Sequence, residues 1–358
     1  MFVRNCWYVA GWSHDLPEDG LISRSIINEP VVLFRTSDGA IVGFEDRCCH
    51  RGAPLSLGRK EGDDLRCMYH GLKFDRSGRC IEIPGQDRIP PAACVRTYPV
   101  VERHSWIWVW MGEAAKADPD LIPAAVGFDD PNWTLRSGHM DYEANYLLIN
   151  DNLTDFSHLS YVHANSFGAT DAWAKTRPTV TLLDRGIRVQ RWMVNGTRAD
   201  VTRPDRSAPP EEATEHWGTY DYLAPGILLM SSAIMPAGTK DRFGGGEPDL
   251  NEVRPLNHNF TSQAVTPMTD TTSRYYFSWG PRAEPGSDAA ADAMLKVAHM
   301  AFTEDRIIIE AQQRILNTTP PRKDVLTSAD VGPMQMRGVL ERLIRAESGM
   351  APEAVAAE

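Results

Sequence analysis

The chain has 358 residues, 42% of them hydrophobic and 24% charged, with a formal net charge of −11. This composition excludes a disordered chain, a collagen-like repeat and a small disulfide scaffold, and it suits one large or two ordinary cores. The acidic balance argues against a nucleic-acid binder and a polybasic membrane binder.

No run approaches 18 consecutive apolar residues, and the start Met1-Phe2-Val3-Arg4 lacks a signal-peptide layout. The cytoplasm is the expected compartment. Six cysteines are too few for a disulfide framework, and a reducing compartment leaves their thiols free for metal.

Residues 1–112 read as β-rich. Short runs such as Val31-Val32-Leu33-Phe34, Ile41-Val42-Gly43-Phe44 and Trp106 to Trp110 alternate with Gly, Asp and Pro turns. Within this stretch Cys48-Cys49-His50-Arg51-Gly52 is followed, after sixteen residues, by Cys67-Met68-Tyr69-His70-Gly71. Each segment supplies one Cys and one His. Two Cys and two His can hold a structural zinc, but zinc modules usually pair Cys with Cys and His with His. The mixed pairing suits a [2Fe–2S] cluster with both thiolates on one iron and both imidazoles on the other. Glycines at 52 and 71 let the backbone approach the inorganic sulfides. Cys49 is read as a bystander, and Cys6, Cys80 and Cys94 as small core residues.

Residues 113–131 lack periodicity and read as a connector. Residues 141–163 have helical composition and carry a polar face through Asp151, Asn152, Asp155 and His158. His158 and His163 stand five apart, off one face of a regular helix, so the helix must end or distort if both bind one metal. Residues 176–282 return to strand-like runs separated by Gly/Pro-rich loops, notably 203–212 and 238–248. Residues 287–317 carry the clearest helical period, with an apolar stripe through Leu295, Ala298, Phe302, Ile309 and Leu316. Asp305 falls on that stripe, where an unpaired carboxylate is costly unless a metal takes it. Two imidazoles and one carboxylate form the facial triad of non-haem iron(II) oxygenases. The competing reading of Asp305 is a surface acid beside Glu304 on a slightly rotated helix. A shorter helix is expected over 334–347 and a frayed tail over 348–358. The chain is therefore α+β in two domains.

The two constellations together resemble the Rieske non-haem iron oxygenases over nearly the whole chain. The run Phe2 to Ala10, the Cys-Cys-His-Arg-Gly-Ala-Pro-Leu-Ser run and the Asp-Asn-Leu-x-Asp-x-x-His-x-x-x-x-His run are similar to one branch. That branch holds the vanillate O-demethylase, dicamba monooxygenase and toluenesulfonate methyl-monooxygenase oxygenase components. The resemblance implies an all-β Rieske domain over 1–112, a connector, and a helix-grip (START-like) catalytic domain over 132–347. It implies Cys48, His50, Cys67 and His70 as cluster ligands, and His158, His163 and Asp305 as ligands of a mononuclear iron. It further implies that Asp155 bridges the cluster of one subunit to the iron of the next, with Asn152 near the iron but not a firm ligand.

The function so implied is that of a terminal monooxygenase, hydroxylating a methyl or methoxy group of an aromatic substrate with dioxygen as co-substrate. A separate reductase, with or without a ferredoxin, would deliver electrons from NADH, and the protein would be a homotrimer. Ring cis-dihydroxylation and a non-catalytic Rieske carrier are the alternatives. Nothing names the substrate. His299 is read as a surface or core residue, and His14, His104, His139, His216 and His258 as structural.

Overall fold

The computed structural model describes residues 1–164, 166–167, 170–194 and 214–349, in two compact units. The first comprises Met1–Gly127 with Thr266–Asp270, and the second Phe128–Val265 with Thr271–Glu358. The boundary falls inside the aperiodic segment 113–131. The loop 203–212 and the end of the tail, 350–358, lie outside the described residues.

The first unit is built from eleven short strands: β1 (Trp7–Trp12), β2 (Leu21–Ile26), β3 (Glu29–Arg35), β4 (Ile41–Glu45), β5 (Arg59–Glu61), β6 (Asp64–Arg66), β7 (Lys73–Phe74), β8 (Cys80–Glu82), β9 (Thr97–Tyr98), β10 (Val100–Arg103) and β11 (Trp106–Trp110). They form three sheets ordered β1-β11-β10, β2-β3-β4-β9 and β5-β6-β7-β8. Every residue of β1 and β11 is buried, so these strands read as continuous apolar runs rather than alternating ones. A separate core of Val32, Phe34, Phe44, Leu55, Leu65 and Phe74 also buries Cys48 and Cys67.

The second unit contains β12 (Arg136–Tyr142), helices α1 (Tyr146–Thr154), α2 (Leu159–Val162) and α3 (Ala172–Lys175), then β13 (Thr179–Leu183), β14 (Gly186–Val194), β15 (Thr214–Leu223) and β16 (Ile227–Pro236). The short α4 (Thr239–Arg242), β17 (Asn257–Pro267), β18 (Ser273–Pro281), α5 (Ser287–Thr318) and α6 (Val331–Glu347) complete it. Its strands make one sheet in the order β12-β18-β17-β16-β15-β14-β13, and α5 packs on β18 and β12.

The long helix turns most of the row its period suggests inward, but not its C-terminal end. Ala298, Phe302 and Ile309 are buried, joined by Ala291, Met294 and Ala301, whereas Leu316 is 54% exposed. Small alanines in the N-terminal half let the helix close on the sheet. Beyond Gln313 every residue of α5 is exposed, so the stripe ends where the packing ends. Asp305 remains in the inward row at 5% exposure. The segment 141–163 also departs from a single helix. Tyr142 closes β12, Asn145 caps α1 through a hydrogen bond from Leu147 N at 2.9 Å, and α1 stops at Thr154.

Candidate active site

Two loops of the first unit repeat one backbone design. Cys48 N donates to Ala53 O at 2.8 Å and Gly52 N to Cys48 O at 2.9 Å. Cys67 N donates to Leu72 O at 2.8 Å and Gly71 N to Cys67 O at 2.9 Å. Gly52 and Gly71 hold positive φ of 69° and 78°, which a residue with a Cβ adopts at a cost. The fold thus sinks both thiols, at 3% and 2% exposure, and leaves His50 and His70 at the surface with ring centroids 4.5 Å apart. Burial pushes the Cys48 thiol up to about 12, and the Cys67 thiol beside it adds to the shift. Two buried thiolates side by side require a cation between them, so the donor set fits an iron cluster with two sulfur and two imidazole ligands.

In the second unit α1 ends at Thr154, a 3-10 turn follows over Phe156–His158, and α2 carries the chain to His163. This double break brings the two imidazoles to one point although they are five residues apart. Asp305 Oδ1 lies 3.1 Å from His163 Nε2 and 3.5 Å from His158 Nε2. One ligand atom from each of the three residues lies within 4.8 Å of the others, so the set fits a single metal ion. Asn152 Nδ2 donates to Asp305 Oδ1 at 3.0 Å, which places its carboxamide on the rim of the triad. His158 Nδ1 donates to the backbone carbonyl of Asp155. Burial lowers the His158 pKa despite the Asp305 charge, which keeps that ring neutral and able to ligate. Burial also opposes protonation of His163, but the hydrogen bond and charge of Asp305, then Glu304, outweigh it and raise that pKa.

The triad opens on a cavity of about 100 Å³, on the scale of a single aromatic ring. Phe156, Trp173, Phe277, Trp279 and Phe302 form its apolar walls, and His216, Ser232, Thr261 and Gln263 a polar strip on the sheet.

Residues 6–99 match the Rieske [2Fe-2S] domain, and residues 142–346 match the vanillate O-demethylase oxygenase C-terminal domain. The chain belongs to this family of Rieske oxygenases. Its relatives include the toluene-4-sulfonate monooxygenase system iron-sulfur subunit of Comamonas testosteroni, 41% identical over 98% of this chain and 99% of the relative. The vanillate O-demethylase oxygenase subunit of Pseudomonas sp. (strain HR199 / DSM 7063) is 31% identical over 100% and 99%. The crystal structure of dicamba monooxygenase bound to dicamba superposes with a TM-score of 0.83 at 30% identity, covering 97% and 99% of the two chains. This Rieske oxygenase is an oxidoreductase of the monooxygenase type with a [2Fe-2S] cluster and a mononuclear non-haem iron. Its relatives are components of multicomponent systems. No helix among the described residues is long and apolar enough to cross a membrane.

Against this frame three side chains differ from their sequence reading. Asp155 does not lie on a helical face with His158. It sits in extended backbone between α1 and the 3-10 turn, and its carboxylate accepts from Ser157 N at 2.7 Å and Ser157 Oγ at 2.9 Å. Its contact with the imidazole therefore runs through the carbonyl, because the carboxylate caps the turn. Glu304 is not simply a surface neighbour of Asp305. It accepts from His163 Nδ1 at 2.9 Å and from Ser166 Oγ at 2.6 Å. His216 is not only structural, since it lines the cavity; no spacing in the sequence signals this, because three strands in register create the position. His299 is exposed on α5 and outside the cavity lining.

Proposed function

We propose that this chain is the terminal oxygenase that hydroxylates a methyl or methoxy carbon on an aromatic ring. The observation that carries the reading is the aromatic-walled cavity ending on His158, His163 and Asp305. In this reading Cys48, His50, Cys67 and His70 hold the cluster in the domain over 1–112, with 113–131 as connector. His158, His163 and Asp305 hold the iron in the domain over 132–347, with Asn152 at its edge. When bound, the two centres supply single-electron delivery and the activation of dioxygen for insertion into a C–H bond.

The chain's own groups bind and orient. Phe156, Trp173 and Phe302 exclude water and fix the plane of the ring, while Glu304 holds the His163 ring through its second nitrogen. In this reading the Asp155 carboxylate is the candidate link to His70 of a neighbouring subunit. The reading carries with it a separate reductase fed by NADH, with or without a ferredoxin, a homotrimeric assembly and a cytoplasmic location. The toluene-4-sulfonate relatives support the methyl over the methoxy reaction. The test is turnover with a surrogate reductase on methyl- and methoxy-arenes, scoring hydroxymethyl products and formaldehyde. Formation of cis-diols alone would overturn the reading.

A further inference from the structure

The short helix α1 cannot set its own direction. It has nine residues, about two and a half turns, which is below the length at which a helix holds together alone. Two of its adjacent residues nevertheless serve different neighbours. Asn152 faces the triad: its Nδ2 donates to Asp305 Oδ1 at 3.0 Å and lies 3.3 Å from His158 Nε2. Asp151, about 100° around the helix, meets α6 instead. Arg337 on α6 grips its carboxylate with both prongs of the guanidinium, Nε donating to Oδ1 at 2.8 Å and Nη2 to Oδ2. Because the rotation between adjacent helical residues is fixed, holding Asp151 sets the direction in which Asn152 points.

The same turn sets where the chain leaves the helix. Asp151 O accepts from Asp155 N at 3.1 Å and from Thr154 Oγ1 at 3.3 Å. Gly332 of α6 is buried against this end, and a Cβ there would collide with Thr154 O. Tyr220 OH on β15 donates to the same carbonyl at 3.3 Å. The exit of α1 is thus clamped between the sheet and α6, just ahead of the turn that carries His158. The Arg337 and Asp151 side chains are 42% and 26% exposed. Solvent therefore screens the pair and its contribution to stability is small. What a two-pronged contact adds is direction.

We propose that Arg337 is a positioning residue of the mononuclear site, acting through Asp151 to fix the rotation and the exit of α1. The inference rests on the proposed assignment of the iron to His158, His163 and Asp305. Without the grip α1 is free to turn, Asn152 loses its aim at Asp305, and the Asp155 backbone that holds His158 Nδ1 shifts with the helix end. The ligand set stays the same while its geometry spreads. A residue 186 positions further along the chain than Asp151 then belongs to the site, although it touches neither the triad nor the cavity lining.

The test uses purified holoenzyme and does not require turnover. Nitric oxide is the probe of the mononuclear iron(II), read by electron paramagnetic resonance with the cluster oxidised and silent. The second readout is the rate at which a chelator removes that iron. Arg337→Met and Asp151→Asn each keep the iron content and move the melting temperature by no more than about 3 °C. Both change the nitrosyl line shape and speed iron removal about fivefold or more. The double variant is no worse than either single one, since both break one contact. Arg337→Lys keeps the charge without the fork and falls between wild type and Arg337→Met. Arg342→Met is the control, because Arg342 ties the same helix to Asp184 O at 3.0 Å and not to α1; it leaves both readouts at wild type. A line shape and removal rate unchanged in both Arg337→Met and Asp151→Asn overturn the role. Equal changes in Arg342→Met also overturn it, because they make α6 a general anchor. Asp305→Ala separates the two readings. A nitrosyl signal that survives it unaltered sinks the metal assignment. Loss of the signal there, with Arg337→Met and Asp151→Asn unchanged from wild type, sinks the positioning role alone.

Discussion

Replacing Glu304 tests how the mononuclear site is held. The carboxylate accepts from His163 Nδ1 at 2.9 Å and from Ser166 Oγ at 2.6 Å, so it fixes the ring whose Nε2 faces Asp305. A hydrogen bond to a charged group is worth about 1.5–3 kcal/mol and one between neutral groups about 0.5–1.5 kcal/mol. Glu304→Gln keeps an acceptor but loses the charge, a difference of about 1–1.5 kcal/mol or roughly tenfold in metal affinity. The Glu304 side chain is 26% exposed, so solvent screening holds the effect at the lower end of that range. Glu304→Ala removes the acceptor altogether and takes the loss toward about 100-fold, the upper end for such outer partners. The assay strips the mononuclear iron, leaves the cluster in place and titrates cobalt(II) against a competing chelator, with the cluster absorbance as internal control. Cobalt affinity equal to wild type in both variants would refute the role. A larger loss in Ser166→Ala than in Glu304→Ala would move the role to the serine.

The remaining predictions concern the two centres. Metal and sulfide analysis of the purified protein is expected to give about three irons and two acid-labile sulfides per chain, as one cluster of this class plus one mononuclear site requires; stoichiometric zinc without sulfide would contradict it. Asp305→Ala is expected to lose the mononuclear iron and turnover yet keep the cluster spectrum, since the cluster residues belong to a different compact unit; retained activity would pass the ligand role to Glu304. Gly71→Ala is expected to cost about 1–2 kcal/mol in backbone strain alone. Its φ is 78° and its new Cβ would stand 2.7 Å from Pro84 Cγ; a normal melting temperature with full cluster occupancy would refute this. Asp155→Asn is expected to keep both centres loaded and to slow reoxidation of the cluster in single-turnover kinetics with substrate and oxygen present. A wild-type rate there would leave Asp155 as a turn cap and nothing more.

What the sequence made legible depended on how local each signal was. The cluster residues are readable because Cys48 with His50 and Cys67 with His70 each fall within one tight loop, and the glycine that closes each turn is part of the same short run. Asp305 is readable for another reason: a carboxylate on an apolar stripe is a conflict that some partner must resolve. The stripe itself was only half right, because Leu316 shares the helical period but lies past the last packed turn. A helical period extended across Thr154 misplaces Asp155, because the chain leaves the helix there. Whether Glu304 or Asp305 points inward depends on a rotation of α5 that periodicity cannot resolve, and the structure uses both. His216 is the extreme case. Its neighbours Ser232 and Trp173 come from another strand and a short helix, and only sheet register brings them together.

The triad also closes a ring in the covalent chain. His158 and His163 sit on one short segment, while Asp305 arrives from α5 some 140 residues later, so a metal that binds all three ties two distant parts of one unit together. By the loop-closure relation used for cross-links, a ring of roughly 140 residues removes about 5 kcal/mol of chain entropy from the unfolded state. Iron is then a staple as well as a reagent. Loss of the ion loosens the tether between α5 and the His158–His163 segment, and the resistance of this unit to heat and protease becomes a measure of its iron content.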